Sequence, residues 1–501
     1  YIYESFLTSL SRDNNREPVI NNHIYDYSIK ELVDKSTHNE AIPENNKLIK
    51  VFSYFDNLLQ DKDFNYIGDF LDKVLSVNIV EIISGEDEEI YNIFEVLNAR
   101  GKKLKQMELL KNHVMKYIQP RTTDVVDKAK EKWNKILNNC KDLPDEDSML
   151  GHFCKCYIKK RAENSDMVYK LIKEEVPLEN LSRFLDDLVE YSSAYAIIAS
   201  KNDDTDIEYF DIKRNYQVRS LLAAIEVLYK REMITEDDCK TCFHNLRNFF
   251  FLFHSCSYTS NKTDKAIANA AFDVYHTKSE MDFKYVISDV FRELSKFISS
   301  STVDELMFTT SSMHYSLKNS AYKSNHRIVK YILYCLYMPD QRDTVLDQSR
   351  LTIEHLLNDD GSVRNSSIYN LTLTSGEINS NELKNRGLVE KIGILKSRSS
   401  VIANQKLDEY LDAQGEYLED KRKNDLKEQA ISNVFKYEGS PFGYTKEMVD
   451  GYLKMKRALQ SDEELLAVLL ERGMNIQAYL SNNPAMQDAY NRFLTLCGTT
   501  S

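Results

Sequence analysis

Glycine and proline are scarce in this 501-residue chain, at 14 and 8 residues, against usual frequencies of roughly 7% and 5%. A sandwich or barrel of many short strands needs more turn punctuation than that, so the scarcity excludes that class and predicts a mainly α, multidomain protein. Long apolar runs are missing too. Nothing approaches the roughly 18 residues of a membrane helix, and Phe249 to Phe253 is a short cluster ended by His254; no membrane is expected among the partners. Positive charge is not in excess: 65 Lys and Arg stand against 78 Asp and Glu, a formal net charge of −13. Any nucleic-acid contact must therefore come from a local basic patch. There is no G-x-x-x-x-G-K-[ST] sequence and no G-x-S-x-G sequence, which excludes a P-loop and a nucleophile elbow. Eight cysteines dispersed along the chain suit a reducing compartment better than a disulfide framework. No signal-peptide pattern stands at the start. The expectation is a cytoplasmic protein and, since the first residue is Tyr1, one preceded by further sequence.

What is present is a globular composition, 42% hydrophobic and 29% charged, long enough for about three domains. Leu48, Phe52, Phe55 and Leu59 recur at helical spacing, and Leu75 to Ile83 reads as a strand. An acidic loop at Gly85 to Glu89 follows. Two helical patterns over Tyr91 to Tyr117 are then separated by Asn98-Ala99-Arg100-Gly101. From Thr123 to about Val345 the pattern is helical, with Val126, Ala129, Trp133, Ile136 and Leu137, then Val218, Leu221, Leu222, Ile225 and Leu228, at core spacing. No repeat period is present. Turn signals cluster between 346 and 400, marking a separate unit, and Leu407 to Phe435 and Glu463 to Arg472 are again helical, the latter ended by Gly473.

Cys239, Cys242, His244, His254 and Cys256 are ligand types suited to zinc, but residues 239 to 253 read as one helix and the second pair lacks a zinc spacing, so packed free cysteines are the favoured reading. The segment from Leu351 to Lys391 is more informative. It carries Glu354-His355, then Asn370 and Asn379, at intervals that suit a hairpin followed by a helix. Adjacent residues on a strand point to opposite faces, so Glu354 and His355 can serve separate partners. Glu354 and the Asn379 carbonyl are oxygen ligands for Mg²⁺ or Mn²⁺. His355 is a proton acceptor near neutral pH, with Asn370 to orient it. The alternative for these residues is an ordinary polar strand end with asparagines in turns.

"TIEHLL", "IYNLTLTSG" and "INSNELKNRGLVEK" together resemble the HNH nuclease half of GmrSD-type modification-dependent restriction enzymes, domain of unknown function 1524. The upstream "IFEVLNARGKKLKQMELLKN" is similar to the end of that family's other half, domain of unknown function 262. The resemblance implies a ββα-metal HNH unit at 346–400 with His355 as general base, Asn370 positioning it, Glu354 and Asn379 on the metal, and Asn385 and Lys391 as accessory residues. It implies that residues 1–118 are the C-terminal part of a small α/β, ParB/sulfiredoxin-like nucleotide-sensing domain, whose Asp-Gly-Gln-Gln-Arg motif is absent here. Asn98, Arg100, Gly101, Lys111 and Asn112 would close a nucleotide or DNA pocket. Residues 119–345 are then a helical connector and 401–501 a helical tail.

The implied activity is a metal-dependent HNH endonuclease of an anti-phage restriction system, regulated by an NTP, with modified phage DNA as substrate and a second copy or another defence protein as partner. Two basic stretches favour a DNA path: Arg100 to Lys116 has six basic residues against Glu108, and Lys384 to Arg398 has five against Glu390. Asn358, where the family has proline, and Tyr369, where it has glycine, favour the rival: a non-cleaving DNA-modification sensor or helical scaffold with a degenerate HNH unit.

Overall fold

The structure is a computed structural model and describes residues 8–10, 16–18, 47–78, 104–118, 127–200, 204–341, 346–384 and 386–458. Asn98, Arg100, Gly101 and Asn385, the acidic loop and the expected helix at 463–472 lie outside these residues. The chain falls into two compact units, residues 1–85 and 86–501.

In the first unit, β1 (Thr8–Leu10) pairs antiparallel with β2 (Arg16–Pro18). Helix α1 (Lys47–Leu59) forms where the periodicity placed it, although Phe55 on its expected buried face is 44% exposed. The strand expected from Leu75 is corrected: Leu75 closes a helix, α2 (Phe64–Leu75). Asp63 starts this helix by accepting from the Tyr66 amide at 2.8 Å, satisfying one of the orphan donors of the first turn. Residues 79–83 of that run lie outside the described residues.

The second unit is mainly helical, as the composition predicts. Helix α3 (Gln106–Tyr117) is held at its N-terminus by Asp147 of α5 (Glu146–Tyr157). The carboxylate takes the Gln106 and Met107 amides at 2.9 Å each, matching negative charge to the positive end of the helix dipole. Between them α4 (Lys128–Cys140) buries Ala129, Trp133 and Ile136. The helices α6 (Leu181–Ser200), α7 (Arg219–Lys230), α8 (Glu236–Ser255) and α9 (Asp264–Tyr275) follow. Val218, Leu221, Leu222, Ile225 and Leu228 are completely buried, so the expected stripe is the core. One apolar cluster runs without a break from Met107 to Phe435, taking in α10 (His326–Tyr337) and both strands of the hairpin described below. Among the described residues no helix is long and apolar enough to cross a membrane.

The continuous helix expected over Leu407 to Phe435 is also corrected. It is broken at Leu411, which bridges to Tyr417 across a turn containing Gly415 at φ +82°. Asp412 fixes that turn by accepting the Gln414 and Glu416 amides at 2.9 and 2.8 Å, an Asx arrangement that competes with helix.

Candidate active site

The turn-rich segment folds as the spacing predicts, into a hairpin and a helix. Strands β3 (Leu351–His355) and β4 (Leu371–Ser375) pair antiparallel with Glu354 opposite Thr372 and His355 opposite Leu371, and α11 (Leu388–Arg398) lies beside them. Leu356, Leu383, Ile392, Leu395 and Leu407 form a small separate core under this unit.

A two-stranded ribbon has two open edges and is marginal alone. Here side chains seal both. On the β3 edge, Asn379 Nδ2 donates to the Ile353 carbonyl at 3.0 Å and Lys391 Nζ to the His355 carbonyl at 2.6 Å. On the β4 edge, Asn404 Nδ2 donates to the Leu373 carbonyl at 2.8 Å, and Arg422 of α12 (Glu419–Gln429) donates to the Leu371 carbonyl at 2.8 Å. Asn404 and Arg422 were not singled out from the sequence; nothing local marks a side chain that bonds a strand edge more than 30 residues away.

Lys391 is buried, 3% exposed, and its ammonium also lies 2.5 Å from Glu354 Oε1. One carboxylate oxygen of the expected metal ligand is thus committed to an ion pair. Asn379 likewise spends its amide nitrogen on Ile353 and on Thr352 Oγ1, at 3.1 Å. The atoms of these two residues with metal-ligand chemistry beyond those contacts are Glu354 Oε2 and Asn379 Oδ1. Mg²⁺ binds through one or two protein oxygens and keeps several waters or substrate phosphates, so this sparse oxygen set fits Mg²⁺ or Mn²⁺. Among the described residues no three His, Cys, Asp or Glu side chains converge in a way that could hold a metal.

His355 is 8% exposed, and its Nε2 lies 3.0 Å from the Tyr315 carbonyl. A carbonyl only accepts, so Nε2 carries the proton in the neutral ring and the lone pair is on Nδ1. Burial is the main influence and lowers the pKa of the ring; the Tyr315 carbonyl, Asp359 and Glu354 act upward, and Lys391 downward. The expectation that Asn370 orients this imidazole is corrected. Its side-chain carbonyl accepts the Leu357 amide at 2.8 Å, and its nitrogen donates to the Leu357 and Asn365 carbonyls at 2.9 and 2.7 Å. Asn370 clamps the loop that follows His355. Sequence reasoning missed Tyr315, which acts through its backbone and so leaves no side-chain signature, and did not single out Asp359, which lies among the turn signals between 346 and 400.

The basic stretch at Lys384 to Arg398 is also corrected. Arg386, Lys391, Lys396 and Arg398 pair with Glu390, Glu354, Asp408 and Glu382; three of these carboxylates lie outside the window whose charge was counted. Lys111 is exposed on α3, and Asn112 beside it is half-buried, its amide nitrogen making no hydrogen bond among the described residues. The cysteine and histidine group lies along and just beyond α8. Cys239 and Cys242 are buried, and burial pushes the Cys242 thiol up. His244 is half exposed beside Asp206. His254 spends its two nitrogens on the Tyr209 and Ser260 hydroxyls, at 2.9 and 3.1 Å.

Residues 2–115 match the family model described as GmrSD restriction endonuclease, N-terminal domain. No curated protein matches the chain. The match supports the GmrSD restriction endonuclease family over that segment, and it ends well before the hairpin, so the residues of the candidate site stand on their own geometry.

Proposed function

We propose that this chain is a DNA endonuclease of a phage-defence restriction system, cutting at the β3–β4 hairpin under control of its N-terminal segment. The observation that supports it most is the state of His355: one nitrogen committed to the Tyr315 carbonyl, the other carrying a lone pair, on a strand end beside Glu354. Such an imidazole accepts a proton from a water attacking a phosphodiester. Asn370 keeps the following loop in place, Glu354 and Asn379 supply oxygens for Mg²⁺ or Mn²⁺, and Lys391 holds Glu354 at the strand edge. When bound, the divalent ion polarises phosphate oxygens and acidifies its water. The match over residues 2–115 makes a restriction endonuclease the family-level reading. Within that reading the NTP acts at the N-terminal segment, with Arg100, Lys111 and Asn112 as candidates to bind it, and the substrate is modified phage DNA.

Plasmid cleavage by the full chain tests this, with Mg²⁺ or Mn²⁺, with and without NTP, on modified and unmodified DNA. Metal-dependent cleavage lost in His355→Ala is the expected result; cleavage that survives the substitution overturns it. Burial of His355 favours a second reading, a non-cleaving sensor, for which no condition yields cut plasmid while DNA binding persists.

A further inference from the structure

The strand that carries His355 is short of one partner. Nothing on the hairpin itself receives the Nε2 proton; the acceptor is Tyr315, 40 residues upstream. Tyr315 lies between a 3₁₀ turn at Ser311–Met313 and the short helix Ser320–Lys323, on a strap that crosses the hairpin loop. Its position is fixed on both sides. Upstream, His314 bridges to Ser367, and the Tyr315 amide donates to the Ser366 carbonyl at 2.8 Å. Downstream, the next three residues all turn to one carboxylate. Asp359 Oδ1 takes the Ser316 hydroxyl at 2.6 Å, and Oδ2 takes the Leu317 and Lys318 amides at 2.9 and 3.4 Å. Asp359 Oδ1 also accepts the Gly361 amide at 3.0 Å, and Asn319 Nδ2 reaches the Gly361 carbonyl at 3.0 Å.

We propose that Asp359 is a positioning residue for His355, clipping the strap so that the Tyr315 carbonyl meets His355 Nε2 and leaves Nδ1 as the basic nitrogen. The inference rests on the reading of His355 as the proton acceptor. The peptide whose carbonyl faces His355 joins Tyr315 to Ser316, and Asp359 holds that peptide's far end by the Ser316 side chain and the following amide. Only an acceptor with two oxygens serves three donors from the strap and one from its own loop, which is the chemistry of a carboxylate. The Tyr315 ring lies against the imidazole as well, with centroids 5.9 Å apart and planes 27° apart, so a displaced strap moves both the ring's neighbour and its hydrogen-bond acceptor. An imidazole that loses this acceptor rotates and exchanges tautomers, and small misplacements of a reacting group cost about 100-fold in rate.

The test uses the full chain and four variants, His355→Ala, Asp359→Ala, Asp359→Asn and Ser316→Ala, with two readouts. The first is kcat and KM for plasmid cleavage. The second is the ¹⁵N spectrum of histidine-labelled protein, in which the His355 signals are those missing from His355→Ala. Asp359→Ala is expected to lower kcat about 10- to 100-fold with KM unchanged and to replace the single Nε2–H tautomer by a mixture. Asp359→Asn, which keeps one acceptor oxygen, and Ser316→Ala fall between it and wild type. If Asp359→Ala does not fold, those two milder variants carry the same comparison. Wild-type kcat together with an unshifted His355 tautomer in the Asp359 and Ser316 variants overturns the inference while leaving the base intact. Full cleavage by His355→Ala overturns the base itself, and the inference with it.

Discussion

The two edges of the β3–β4 ribbon are sealed by the same pair of side-chain types, one asparagine and one cation, yet they are built differently. On the β3 edge the cation Lys391 has a carboxylate, Glu354, at 2.5 Å. On the β4 edge Arg422, 2% exposed, makes no ion pair with a carboxylate among the described residues; its guanidinium bonds the Tyr337 hydroxyl at 3.1 Å and lies 5.3 Å from the centre of the Tyr410 ring. Behind it, Thr372 Oγ1 links Tyr337 to Asn404, whose amide continues to Ser399. The β4 edge shows what sealing alone requires: donors for two carbonyls and an aromatic lining. A buried carboxylate beside a histidine is extra to that requirement, and it is found only on the edge assigned to chemistry. The difference also warns against assigning Asn379 and Lys391 to chemistry alone, since their counterparts Asn404 and Arg422 do the same sealing.

The largest effect expected of any single change falls on the β3 side. His355→Ala removes a proton acceptor and should reduce plasmid cleavage by about 10²- to 10⁴-fold, at a stability cost of about 1 kcal/mol for the lost bond to Tyr315. No substitution confined to the β4 edge should reach that reduction without unfolding the chain. A drop of similar size for Arg422→Met in folded protein would erase the distinction between the edges.

Next in size is the asymmetry in stability. Lys391→Met leaves Glu354 buried without its cation, and stranding one member of a buried pair costs about 3 to 5 kcal/mol. Arg422→Met strands no carboxylate; it forfeits hydrogen bonds to a carbonyl and a hydroxyl, about 1 to 3 kcal/mol. Urea denaturation should rank them in that order, and Glu354→Gln placed on top of Lys391→Met should recover part of the loss. Equal losses for the two single variants would mean that the ion pair adds nothing beyond sealing.

The contrast explains what was readable beforehand. The helical core was visible because burial repeats along one chain segment: Leu221, Leu222, Ile225 and Leu228 sit next to one another in sequence and in space. The hairpin was visible from the interval between His355 and Asn370. What escaped notice is what joins distant segments. The stretch at Lys384 to Arg398 reads as a basic patch because Glu354, Glu382 and Asp408 fall outside it. Tyr315 escapes because a carbonyl is common to every residue, and Arg422 because its target is a strand edge. The helix Phe64–Leu75 was missed for a local reason: the β-branched residues after Leu75 read as a strand, and the cap at Asp63 was not considered.

A smaller effect concerns the helical core alone and is read by pH. His152 in α5 bonds the Tyr195 hydroxyl at 3.0 Å, and burial lowers its pKa to about 3, with Lys155 and Arg219 acting in the same direction. The folded pKa lies below the unfolded value, so the neutral ring's contribution is full above about pH 6.5 and is lost as pH falls toward about 3. At pH 5 the loss is about 2 kcal/mol. His152→Phe should therefore flatten the fall in unfolding free energy between pH 6.5 and 5, whatever its effect at pH 8. An unchanged slope would show that the ring is protonated without cost in the folded core.

The smallest effect, a change in Mn²⁺ affinity, is the most discriminating, because it tests the asparagine of each edge. Asn379→Asp and Asn404→Asp each keep an oxygen where the side-chain carbonyl stands and replace the donating nitrogen by a second acceptor. Each then faces a strand carbonyl, Ile353 or Leu373, with no proton to offer; Asn379→Asp should lose about 1 to 3 kcal/mol of stability, and Asn404→Asp, at a completely buried position, should lose more. If both asparagines only seal edges, neither variant changes Mn²⁺ affinity. If Asn379 also presents its oxygen to Mg²⁺ or Mn²⁺, the added negative charge strengthens that contact. Asn379→Asp should then bind Mn²⁺ at least as tightly as wild type by calorimetry despite its lower stability, whereas Asn379→Ala should bind it more weakly and neither Asn404 variant should change Mn²⁺ affinity. Mn²⁺ binding that is indifferent to Asp, Ala or Asn at 379 would reduce Asn379 to the role that Asn404 plays on the opposite edge.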